Sequence, residues 1–121
     1  MLNKQKRHRS YPDLTIEDVL LAHIEELPFD GISVCGIWAD AINGFGLSDA
    51  EAEEFSRLAF ATLFEAGATL ARPSEVEPFF QHIDGYEGPV GQVTDRIIRE
   101  LREMGGLPDF TWLWFFRFDG S

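Results

Sequence analysis

The chain has 121 residues, of which 45% are hydrophobic and 13% aromatic, and its formal net charge is −11. This length is usual for one domain and leaves little room for a second, while the apolar content is sufficient for a core. The single cysteine, Cys35, cannot form an internal disulfide, no apolar run reaches the length of a membrane span, and no apolar signal-peptide core follows the basic start. We therefore expect one soluble cytoplasmic domain.

The charges divide the chain into two parts. Lys4, Lys6, Arg7 and Arg9 all precede Ser10, whereas every acidic residue follows it. After Ser10 the chain contains six arginines and 21 acidic residues, which gives this part a net charge of −15. Such a surface repels nucleic acid and membranes and attracts basic proteins over about 8 Å at physiological salt. The charge predicts a basic protein partner, with no direct contact to nucleic acid or membrane, although acidity is also typical of a domain that is simply kept in solution.

The first half of the chain has the spacing of amphipathic helices. Residues 1–12 predict a disordered basic arm, and residues 13–121 a single domain. A helix should begin near Thr15, where an acidic residue completes a capping box, and stop at Pro28. Residues 31–44 favour a strand in their first half and a helix in their second, and we interpret them as a helix that ends at Gly44.

Two further helices are predicted in the second half of the chain. Ser48 opens another capping box, and the helix that follows to Ala66 should turn four residues inward: Phe55, Leu58, Thr62 and Leu63. A helix over residues 90–104 should bury one stripe before two glycines end it: Val90, Val93, Ile97, Leu101 and Met104.

The C-terminal aromatic run predicts a strand over residues 110–118. Alternation places five aromatic residues on one face: Phe110, Trp112, Trp114, Phe116 and Phe118. Residues 68–72 are the expected pairing partner, and each face should be covered by this chain or by a second molecule. The predicted fold class is α+β, a mostly helical small domain of three or four helices with a small sheet that includes this strand.

No set of residues in the sequence indicates catalysis, a cofactor or a metal. Nothing marks a base for Cys35, and the pair His82 and Asp84 lacks further identifiable metal ligands. The glycines before the last predicted helix are flanked by Asp84 and Glu87 and followed by no lysine, so a phosphate site is not indicated. We therefore expect a binding protein that is not an enzyme and needs no cofactor.

Residues 68–90 predict a long irregular loop, and such loops often carry function. Asp84, Tyr86 and Glu87 are the first choice for contact with a basic partner, because an aromatic residue between two carboxylates can fill a basic pocket. Three nearby residues extend this candidate surface: Glu77, Phe80 and His82. The alternative interpretation is a solvated turn with Tyr86 packed inward.

The sequence combines a short acidic α+β domain, an aromatic C-terminal strand and a Gly85-Tyr86-Glu87-Gly88 loop before an arginine-bearing helix. This combination resembles the immunity proteins of bacterial contact-dependent growth inhibition and related polymorphic toxin systems. The resemblance rests on residues 79–88 and 96–118. It implies a cytoplasmic antitoxin that neutralises a cognate toxin, often a nuclease, through charge and shape complementarity.

Two other classes of function remain open. A homodimeric adaptor or regulatory binding protein would use the aromatic strand as its interface, and its mass in solution would reveal it. A small hydrolase would need His82, Asp84 and distant carboxylates to converge on one pocket.

Overall fold

The computed structural model describes residues 2–104 and 114–118 and confirms the predicted α+β class, with four helices and four strands in the described residues. The C-terminal strand is confirmed over residues 115–118; of the other residues predicted for it, Trp114 precedes the strand and residues 110–113 lie outside the described ranges. The elements follow in chain order: α1 (Ile16–Glu26), β1 (Ile32–Ser33), α2 (Val34–Ala39) continued by a π-helical turn (Asp40–Gly44), α3 (Asp49–Glu65), β2 (Ala68–Pro73), β3 (Phe80–His82), α4 (Val90–Glu103) and β4 (Phe115–Phe118).

The two predicted capping boxes start α1 and α3. The Asp18 N–H donates to the Thr15 hydroxyl over 3.2 Å, and the Asp18 carboxylate accepts the Thr15 N–H over 3.0 Å. Ser48 and Glu51 make the same reciprocal pair, with both bonds at 3.3 Å. These bonds satisfy backbone donors that have no partner within a helix, so both helices begin where the sequence predicts.

The four strands form an antiparallel sheet in the order β1-β4-β2-β3. β4 pairs with β2, with Leu70 opposite Phe116, which confirms that residues near 68–72 pair with the C-terminal strand. Side chains alternate between the faces of a strand, so Leu70, Phe116 and Ile32 share one face. All three are buried, which makes this the core face of the sheet.

Helix α3 buries two of the four predicted residues, Phe55 and Leu63, but the rest of its buried stripe differs from the prediction. Its buried residues are Ala52, Phe55, Ser56, Ala59, Phe60 and Leu63, whereas the predicted Leu58 and Thr62 are only half-buried. The ring of Phe60 lies 5.3 Å from that of Phe116 in β4. The sheet therefore draws the Phe60 side of the helix inward, a constraint that the spacing within α3 does not reveal.

Helix α4 shows a similar difference at its two ends. Val93, Ile97 and Leu101 are buried as predicted, but Val90 is half-buried and Met104 is exposed. The rest of the buried stripe comes from two residues one position further along the chain: Thr94 and Ile98. α4 packs against α3, and this contact rotates its buried face.

Residues 2–12 pack against the helices, whereas residues 1–12 were predicted to form a disordered arm. The His8 N–H donates to the Leu14 carbonyl over 2.8 Å, and the Arg9 N–H donates to the Gly44 carbonyl over 2.7 Å. A Cβ on Gly44 would lie 2.5 Å from His8 Nε2, so the absence of a side chain there lets the two segments meet. This contact joins distant positions and has no local sequence signal.

The predicted irregular loop over residues 68–90 contains regular structure. β2 and β3 form a hairpin with Arg72 opposite Gln81, and Arg72 Nη2 donates to Gln81 Oε1 over 3.1 Å. The prolines and glycines of this segment indicated turns. However, β2 pairs with β4, and β3 pairs with β2, so both segments form strands. Within the predicted loop, the residues without regular structure are therefore 74–79 and 83–89.

Candidate functional site

The turn between β2 and β3 presents two carboxylates beside two apolar side chains. We call residues 75–79 the hairpin tip. Val76 is 73% exposed and Phe79 is 64% exposed, and Glu75 and Glu77 are exposed as well. None of the ion pairs within residues 2–104 and 114–118 involves either glutamate. The hairpin tip thus combines uncompensated negative charge with exposed apolar surface.

The backbone holds the hairpin tip in a defined turn. The Ser74 N–H donates to the Phe79 carbonyl over 3.1 Å, and the Phe79 N–H donates to the Val76 carbonyl over 2.7 Å. Phe79 has a φ of 71°, a left-handed conformation that is unfavourable for a bulky residue. The two hydrogen bonds therefore hold the turn in one backbone conformation.

Phe80 and His82 lie on the sheet face opposite the core. Their rings are 5.5 Å apart, and the Arg117 guanidinium lies 3.7 Å from the centre of the Phe80 ring. His82 Nδ1 is 3.4 Å from the Thr69 hydroxyl. These contacts place His82 beside an aromatic ring and a threonine, with no hydrogen bond to Asp84 in the described part of the chain, so the hydrolase alternative gains no support.

Tyr86 packs inward, which is the alternative interpretation that the sequence left open. Its hydroxyl donates to the carboxylate of Glu100, with distances of 2.7 and 2.6 Å to the two oxygens. Its ring packs edge-on against Trp114 at 5.4 Å, and the Arg96 guanidinium lies 4.4 Å from the ring centre. Arg96 also donates to the Gly85 carbonyl over 2.5 Å. The hydrogen bonds to Glu100 therefore attach the loop to α4. The contacts of Tyr86 come from distant parts of the chain.

The two carboxylates beside Tyr86 are exposed. Glu87 accepts the Gly85 N–H over 3.1 Å, a local bond that shapes the turn, while Asp84 is exposed. The six predicted contact residues thus fall into three groups: Glu77 at the hairpin tip, Phe80 and His82 on the open sheet face, and Asp84, Tyr86 and Glu87 in the following loop. Sequence reasoning missed Glu75, Val76 and Phe79, although alternating acidic and apolar residues before Pro78 were a usable signal.

We expect Glu100→Gln to lower the pKa of Tyr86. Burial, together with the hydrogen bond and the negative charge of Glu100, raises this pKa from 10.0 to about 12. Removing that charge should move it back toward 10.0, as followed by the ultraviolet absorbance of tyrosinate in a Tyr11→Phe background, with circular dichroism to confirm folding. An unchanged titration would show that Tyr86 and Glu100 are not paired.

Arg57 and Arg102, which lie between α3 and α4, are paired with carboxylates. Arg57 pairs with Asp95 and with Glu53, and Arg102 pairs with Glu53 from the other helix. The hydrogen bond from Arg102 is the main cause that holds the pKa of Glu53 below its ordinary value. Exposed pairs of this kind contribute at most about 1 kcal/mol each to stability. They leave the carboxylates of the hairpin tip uncompensated.

A separate cleft of about 600 Å³ lies between the N-terminal segment, α1 and α2. Within it, His8 Nε2 is 2.9 Å from Asp40 Oδ1, and His8 Nδ1 accepts the backbone N–H groups of Ser10 and Tyr11. An acceptor at Nδ1 requires the ring proton at Nε2, so a neutral His8 donates to Asp40. This arrangement leaves no free lone pair on His8 for base catalysis.

His23 also lines the cleft, and neither of its buried ring nitrogens has a hydrogen-bond partner in the described residues. Burial lowers the pKa of His23 below its ordinary value of 6.5, against the opposing effect of the Glu26 and Asp40 carboxylates. The ring is therefore neutral at neutral pH. Across the described ranges, no group of three or more potential ligand side chains could hold a metal ion.

No family model, no curated protein and no solved structure matches this chain. Among the helices in the described ranges, none combines the length and the apolar character that crossing a membrane requires.

Proposed function

We propose that this protein is a cytoplasmic immunity protein that binds a basic toxin domain, most simply a nuclease, and blocks its activity. The observation that carries the proposal is the hairpin tip, where Glu75 and Glu77 flank exposed apolar side chains and make no ion pair within the described residues. Nucleases bind polyanions and therefore present basic clefts, which such a surface complements.

The division of charge supports the same function. The part of the chain after Ser10 has a net charge of −15, and two of its arginines, Arg57 and Arg102, are paired with carboxylates of α3 and α4. Long-range attraction would orient the acidic domain toward a basic cleft before contact. Val76 and Phe79 would then supply the apolar part of the interface, since desolvated aromatic and aliphatic contacts usually provide most of the binding energy.

The test is a titration against the product of the gene adjacent to that of this protein, at low and at high ionic strength. We expect association on the order of 10⁸ M⁻¹ s⁻¹ at low salt, falling toward about 10⁶ M⁻¹ s⁻¹ when salt screens the charges. A rate that does not change with salt would contradict electrostatic attraction, and a lack of binding would contradict the immunity function.

A further inference from the structure

The strand β3 lies at an edge of the sheet. In the order β1-β4-β2-β3 it pairs with β2 on one side, and within the described residues no strand lies on its other side. The opposite edge, β1, is two residues long and continues directly into α2, and so short an edge strand is poorly suited to further pairing. β3 is therefore the edge of this sheet that is better suited to pair with an added strand.

The backbone groups of Phe80 and His82 point away from β2. In an antiparallel pair of strands, opposite residues alternate between those that exchange backbone hydrogen bonds and those that do not. The Ile83 N–H donates to the opposite Leu70 carbonyl over 3.1 Å, so Ile83 and, two residues earlier, Gln81 face β2. The N–H and C=O groups of Phe80 and His82 therefore face outward, where they can form four backbone hydrogen bonds with an added strand.

Carboxylates lie beyond both ends of β3. Glu75 and Glu77 of the hairpin tip precede the strand, Asp84 and Glu87 follow it, and all four side chains are exposed. None of the four takes part in an ion pair within residues 2–104 and 114–118. β3 itself contains no acidic residue, lysine or arginine. The edge thus presents uncharged backbone donors and acceptors between two groups of negative charge.

We propose that an extended segment of the toxin domain, with basic residues at both of its ends, pairs with β3 as an added strand; this inference rests on the proposed function. The main-chain hydrogen bonds supply affinity, and the basic residues pair with the carboxylates beyond each end of β3. A second copy of this chain is disfavoured, because antiparallel pairing of two β3 strands brings the hairpin tip of one copy beside Asp84 and Glu87 of the other, and like charges repel. The added strand is continuous with the contact at the hairpin tip, which directly precedes β3.

Two variants of His82 test the added strand in a titration with the product of the adjacent gene. His82→Pro removes the outward N–H and places a ring in the path of the added strand, but it keeps the bonds between β2 and β3, because this N–H takes no part in them. His82→Ala removes the same side chain and retains the N–H, so it is the matched control. We expect His82→Pro to bind about tenfold more weakly than His82→Ala in isothermal titration calorimetry, with circular dichroism to confirm folding.

Amide hydrogen exchange of the wild-type chain is a second measurement, and it decides the question if His82→Pro does not fold. We expect the Phe80 and His82 amides to exchange rapidly in the free chain and to become protected in the complex. Protection in the free chain that rises with its concentration would assign this edge to a second copy and overturn the proposal. If both variants bind alike, or if the two amides stay unprotected in a complex that forms, the added strand is overturned and the immunity function stands. If no complex forms, both proposals are overturned.

Discussion

Replacing Phe60 by alanine should destabilise the domain by about 3–5 kcal/mol, the largest effect we expect on folding. Phe60 is fully buried, and its ring lies 5.3 Å from that of Phe116, where α3 meets the sheet. The substitution removes apolar contact and leaves a cavity between these two layers. Denaturant unfolding, followed by circular dichroism, measures the loss as a lower midpoint.

Two companion variants keep this prediction testable if Phe60→Ala does not fold. Phe60→Leu retains most of the volume and should cost about 1–2 kcal/mol. Leu58→Ala, on the half-buried flank of the same helix, should cost less than about 2 kcal/mol. A larger loss for Leu58→Ala than for Phe60→Ala would show that α3 faces the core as the sequence alone predicted.

Reversing both charges of the hairpin tip should produce the largest effect on binding. Glu75→Lys combined with Glu77→Lys should weaken binding to the basic partner by several kcal/mol, about 2–5, because attraction becomes repulsion at the centre of the proposed contact. Folding should be unaffected, since both residues are exposed in a turn. Isothermal titration calorimetry measures the change in affinity.

A second double variant separates the local contact from total charge. Glu65→Lys combined with Glu103→Lys changes the net charge equally, but at exposed positions in α3 and α4. It should mainly slow association by a modest factor through the long-range field. Equal losses for the two double variants would remove the hairpin tip as the contact and leave only the overall charge.

The features that the sequence predicted correctly are those with local causes. The hydroxyl and carboxylate of Thr15 and Asp18 lie three residues apart, so the start of α1 is encoded within one turn. The pairing of β2 with β4 was also predicted, because an apolar strand such as 115–118 requires a partner and few segments could provide it.

The features that the sequence did not reveal depend on distant contacts. Phe60 packs against Phe116 of the sheet, and His8 bonds to Asp40, 32 residues away in the chain. Neither relation leaves a periodic pattern in the residues around it. A stretch with basic residues was therefore predicted to be a free arm, and two of the four residues predicted to face inward from α3, Leu58 and Thr62, are only half-buried.

The candidate site shows the same limit. Of the contact residues proposed within the loop over residues 68–90, three are exposed carboxylates: Glu77, Asp84 and Glu87. The direction of Tyr86 was not predictable, because it depends on Glu100 in α4 and on Trp114 next to β4. Exposure at the hairpin tip likewise follows from the pairing of β2 and β3, which places Val76 and Phe79 beyond the end of the sheet.

The most direct test of the proposed function is the activity of the adjacent gene product in the presence of increasing amounts of this protein. An immunity protein that binds tightly to one toxin domain should reduce toxin activity linearly and abolish it at an equimolar ratio. We expect this titration curve for the wild-type chain, and a shift to a large molar excess for the variant with Glu75→Lys and Glu77→Lys. Toxin activity that stays unchanged in excess wild-type protein would contradict the proposed function.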